Sequence, residues 1–167
     1  MYRLGPDVST GFCGLHHIRF FELEKMVGRT KKTTLAREQL EDGVALLISG
    51  RFVSALTLLG AAEEVLSRLL EEQGGDHPLE KWWIDINNWN RCQGGNEVSR
   101  KHVHRVFNEP RNSVKHHTPG GEQSVAIFKV PAAAMMARRA STAAIALQLK
   151  YKNKKQLEEW LTDFYRS

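Results

Sequence analysis

Residues 51–73, RFVSALTLLGAAEEVLSRLLEEQ, decide the fold. Phe52, Leu56, Leu59, Leu66 and Leu70 recur at spacings of four and three, the period of one helix face, provided Glu63 is counted in the stripe. An acid on that stripe faces the core and needs a partner there. Gly50 ends the helix before this stretch, and Gly74-Gly75 ends the stretch itself.

Working outward, the pattern stays helical. Thr34 is placed to N-cap a first helix carrying Leu40, Val44, Leu47 and Ile48 on one face. Pro78 opens a third helix whose large residues are Leu79, Trp82, Trp83, Ile86 and Trp89. Gly94-Gly95 separates it from a fourth region, residues 97–118. Pro110 divides or kinks that region, with Asn108 as the N-cap of its second part. Pro119-Gly120-Gly121 reads as a turn and residues 124–130 as extended or strand-like. A long helix over residues 131–151 follows, then a short one capped by Asn153 with Gln156 three positions on. The fold class expected is all-α, an antiparallel helical bundle of about four main helices with extra short helices. Gly5-Pro6, Gly11, Gly14 and Gly28 break any period earlier in the chain. Residues 1–33 are therefore expected to be an irregular N-terminal arm, with Met26 as an alternative start, and residues 34–167 the bundle.

Composition bounds the function. Apolar residues make up 41% and charged residues 26% of the 167 positions, as expected for one domain with a real core. No apolar run reaches the roughly 18 residues of a membrane span, and no secretory leader is visible, so no membrane partner is expected. Cys13 and Cys92 match no zinc or redox spacing and read as free thiols of a reducing, cytoplasmic compartment. The net charge of +5 favours polyanionic partners.

The hexapeptide Arg111-Asn112-Ser113-Val114-Lys115-His116 carries the chemistry. On a helix starting near Pro110, Arg111 would sit in the first turn, where free amides and the helix dipole favour an anion. Its guanidinium suits a bidentate phosphate contact. Asn112 and His116 are four apart and share a face, so Asn112 can orient the imidazole or donate to phosphate. The imidazole of His116 can take or give a proton. RNA supplies its own nucleophile, the ribose 2′-hydroxyl, so such a site needs neither metal nor cofactor. Lys101, Arg105, Lys115 and His117 would extend the positive surface along the strand. Glu63 is expected to hold Arg111 across the bundle, with Glu64 as the partner if the stripe is off by one residue.

Two segments resemble the HEPN family: residues 50–70, GRFVSALTLLGAAEEVLSRLL, and residues 108–117, NEPRNSVKHH, which contain the family's Arg-Asn-x-x-x-His pattern at Arg111, Asn112 and His116. The resemblance implies an all-helical bundle. It also implies a metal-independent endoribonuclease of toxin or defence type, acting as a homodimer in which two signatures face each other. The partners implied are RNA, a second copy and a neutralising antitoxin protein. Some members have lost catalysis, so the alternative is a non-catalytic module binding RNA, a nucleotide or a partner protein.

Other residues have plainer readings. Trp82, Trp83 and Trp89 at helical spacing are core candidates before they are base-stacking ones. Arg138-Arg139 and the lysines at 150, 152, 154 and 155 read as a solvated face. His102 and His104 are two apart and point to different faces. A core metal site built from Glu63 or Glu64 with His102 or His116 is the weakest alternative, because no Glu-x-x-His pair is present.

Overall fold

A computed structural model describes residues 28–116 and 123–166; the chain divides into a unit of residues 1–30 and one of residues 31–167. The arm expected over residues 1–33 thus lies almost wholly outside the described residues, as do His16, His17, Cys13 and His117. The second unit is all-helical. Its elements are α1 (Lys32–Ile48), α2 (Phe52–Glu72), α3 (Pro78–Cys92), α4 (Arg100–Lys115), α5 (Lys129–Ala146) and α6 (Lys154–Arg166). No described helix is long and apolar enough to cross a membrane.

The core forms where three apolar stripes meet. Leu40, Val44 and Leu47 of α1 pack with Leu56, Leu59 and Leu66 of α2 and with Ala133, Met136, Ala137 and Ala140 of α5. Each fully buried leucine contributes on the order of 2 kcal/mol by removing its surface from water. α2 is the central helix, flanked by α1 and α5. The α5 face is almost all alanine, so it brings its backbone close to α2. A three-residue link joins α1 to α2, and Gly50 occupies it at φ +78°, a conformation that side chains resist.

α6 covers one edge of this core with Leu157 and Trp160, and Trp160 lies 6.5 Å from the Phe52 ring. α3 and α4 pack together on another side. Their connection is pinned from α3: Asn87 donates to the Val98 carbonyl at 3.1 Å and accepts from the Val98 amide at 2.8 Å. The Trp83 indole donates to the same carbonyl at 2.9 Å. Asn87 thereby pairs with Val98 as a neighbouring strand would, satisfying backbone groups that the loop leaves without partners.

Several expectations change. α1 begins at Lys32, two residues before Thr34, whose amide instead donates to the Lys31 carbonyl. Residues 124–128 form no strand, and helix α5 starts at Lys129. α4 runs unbroken through Pro110, so Asn108 caps nothing. Arg139 is not on a solvated face but 1% exposed. It stands three residues after Met136 and four before Ala143, on the buried alanine face, and that spacing was its sequence signal. Trp82 and Trp83 are half-buried, whereas Trp89 is 65% exposed and belongs to no core.

Candidate functional site

α2 carries two consecutive glutamates that face different neighbours. Helical phase turns adjacent side chains about 100° apart, and the bundle answers each with its own arginine. Glu63 is 2% exposed and accepts from Arg139 Nη2 at 2.6 Å, not from Arg111 as the stripe predicted. Arg139 arrives from α5, the helix packed against that face. Its Nη2 also donates to Asn108 Oδ1 at 3.0 Å and its Nη1 to the Phe107 carbonyl at 3.2 Å, so one guanidinium ties α2, α4 and α5. The Ser67 hydroxyl donates to Glu63 at 3.3 Å. Burying two charges is tolerable only with this degree of pairing.

His77 closes the other side of Glu63, with Nε2 3.6 Å from the carboxylate. Its Nδ1 accepts from the Leu79 amide at 3.1 Å as the N-cap of α3, which leaves the proton of the neutral ring on Nε2, toward Glu63. Burial holds the His77 pKa below its ordinary value despite the attraction of Glu63, and Arg139 and His104 push the same way. The His104 ring lies 5.1 Å away and is 3.4 Å from Glu80, which also binds Arg100.

Arg111 is held by Glu64, the alternative partner: Nη1 donates to Glu64 Oε2 at 3.1 Å and to the Gly60 carbonyl at 3.3 Å. Its Nε and Nη2 reach Asn112 Oδ1 at 3.4 and 3.3 Å. Gly60 makes this possible. A Cβ there would overlap Arg111 Cδ and lie 2.7 Å from Cγ, so only glycine lets the side chain lie across α2. An isolated glycine inside a strong helix was the available sequence signal for such a close approach.

Because α4 is continuous, Arg111 lies just before its last turn rather than in a first one. The free-amide anion site expected beside it is therefore not formed there; the dipole at this end favours cations, and Lys115 in the last turn complements it. His116 is the C-cap, exposed, with its amide donating to the Asn112 carbonyl at 3.0 Å. No hydrogen bond or ion pair joins the His116 ring to Arg111. Lys101, Arg105 and Lys115 are exposed on α4, and Arg105 reaches His102 Nδ1 at 3.3 Å.

Among the described residues no three His, Cys, Asp or Glu side chains are grouped as metal ligands, and the histidine beside Glu63 is His77, not His102 or His116. A cavity of about 670 Å³ opens on the side of α4 away from Arg111, between α4, residues 124–128 and α5. Leu56, Val106, Pro110, Ile127, Met135 and Met136 supply apolar wall, and Arg105, Glu109, Ser113 and Ser124 the polar groups. Compared with protein-family models, with curated proteins and with solved structures, the chain matches none.

Proposed function

We propose that the chain is a HEPN-type endoribonuclease of toxin or defence type, acting on RNA in the cytoplasm as a homodimer and without a metal. The observation that carries this reading is the end of α4. There an exposed His116 ring, with no partner among the described residues, follows Asn112 by one turn, and Asn112 holds Arg111 through its side-chain oxygen. In the reaction the ribose 2′-oxygen attacks phosphorus and the bond to the 5′-oxygen breaks, giving a 2′,3′-cyclic phosphate and a free 5′-hydroxyl. One His116 removes the 2′-proton, and the His116 of a second copy protonates the departing oxygen, since one chain offers a single such histidine. Arg111 stabilises the charge developing on the phosphate oxygens. Lys101, Arg105 and Lys115 supply the sequence-independent attraction to the strand.

The test is incubation of mixed RNA with the protein in excess chelator, beside Arg111→Ala and His116→Ala. Cyclic-phosphate ends produced by the parent and lost in both variants are the expected result. Cleavage at the parent rate by both variants overturns the reading.

A second reading, a non-catalytic module binding RNA, a nucleotide or an antitoxin-like protein, is favoured by one observation. The Arg111 guanidinium is already engaged by Glu64 and the Gly60 carbonyl. RNA binding that weakens steeply with salt, with no cleavage products, selects this alternative.

A further inference from the structure

The cavity between α4 and α5 is chemically one-sided. Its volume of about 670 Å³ falls within the range of small-molecule sites. Phe128 stands at its wall with 86% of its surface exposed, an aromatic face that the bundle leaves uncovered. One acceptor on the lining stretch of α4 lacks a donor among the described residues. Glu109 forms no hydrogen bond or ion pair among the described residues, and Arg105, one turn away, turns to His102 instead. Ser113, which also lines the cavity, spends its hydroxyl proton on the Pro110 carbonyl at 3.1 Å.

A ligand suited to this arrangement is flat, stacks on an aromatic ring and presents adjacent donors along one edge. Among nucleobases guanine alone does so: its N1–H and 2-amino group lie side by side, and one carboxylate accepts from both. Adenine and cytosine offer only an amino group beside an acceptor, and uracil a single N–H between two acceptors. Unpaired RNA bases are recognised through just such stacking and edge contacts.

We propose that this cavity takes a guanine base of single-stranded RNA, with Glu109 reading its N1–H and 2-amino group and Phe128 stacking on the ring. The inference rests on the RNA reading above. Glu109 and Ser113 belong to the same helix as Arg111 but face its opposite side, so the base bound lies across α4 from the Arg111 guanidinium.

The experiment measures binding of single-stranded uridine octamers carrying one central guanosine, inosine or adenosine. Full-length His116→Ala protein keeps the RNA intact. Guanosine is expected to bind roughly tenfold tighter than adenosine, with inosine, which lacks the 2-amino group, in between. Adding Glu109→Gln removes that ratio while leaving the adenosine octamer unchanged; Glu109 is exposed and has no partner among the described residues, so its replacement leaves the fold intact, as a melting curve checks. Adding Phe128→Ala weakens all three octamers. Equal binding of the three, or a guanosine preference that survives Glu109→Gln, overturns the inference and leaves the RNA reading standing. No binding of any octamer at low salt overturns the RNA reading, and this inference with it.

Discussion

Gly60 and the Glu63–Arg139 pair show how much single positions decide. Gly60→Ala adds about 1 kcal/mol of helix propensity but drives a methyl group into the Arg111 side chain. Stability is therefore expected to stay within about 1 kcal/mol of the parent. If the proposed ribonuclease reading holds, RNA cleavage should fall roughly a hundredfold, because a displaced guanidinium would no longer meet the phosphate. Melting curves beside cleavage rates check this; full cleavage in the alanine variant would detach Arg111 from the reaction. Arg139→Met works in the opposite sense, leaving the carboxylate of Glu63 buried without its cation. A loss of about 3–5 kcal/mol is expected in urea unfolding. Combining it with Glu63→Gln should recover most of that loss, since no charge is then stranded.

At the scale of elements, the α3–α4 corner depends on Asn87 and α4 depends on what surrounds Pro110. Asn87→Ala removes both bonds to Val98. A cost of about 2 kcal/mol is expected, with faster hydrogen exchange at the Val98 amide. Unchanged exchange there would mean that Trp83 alone holds the loop. Pro110 forfeits one helical bond, yet α4 stays whole because neighbours brace it on both sides: Arg139 binds the Phe107 carbonyl and Asn108, and Arg111 clasps α2. A proline read in isolation breaks a helix; one braced by α2 and α5 does not.

For the molecule as a whole, the buried network makes stability depend on pH. Burial lowers the His77 pKa, so the unfolded chain takes up this proton before the folded one does. The stabilisation is fully present above the ordinary histidine value of about 6.5 and is lost as pH falls through it, by up to about 1.4 kcal/mol per pH unit. His77→Asn keeps an N-cap acceptor for the Leu79 amide while removing the titration, and its urea midpoint should vary less between about pH 7 and pH 5. Equal slopes in parent and variant would assign the acid sensitivity to other groups.

Sequence alone determined the six helical stretches to within a few residues, the burial of Glu63 and the chemistry available at Arg111, Asn112 and His116. These are local properties: periodicity and glycine or proline stops act within one or two turns of chain. About four main helices with extra short ones were expected; among the described residues there are six, five of them with 15 residues or more. Only the tertiary structure decided which arginine answers which glutamate, that Arg111 lies toward the end of a helix instead of opening one, and that a cavity stands behind it. Helical phase states that Glu63 and Glu64 face different directions, but not which helix lies in each. The closeness of alanine-faced α5 to α2 put Arg139 beside Glu63, and the gap at Gly60 gave Arg111 to Glu64.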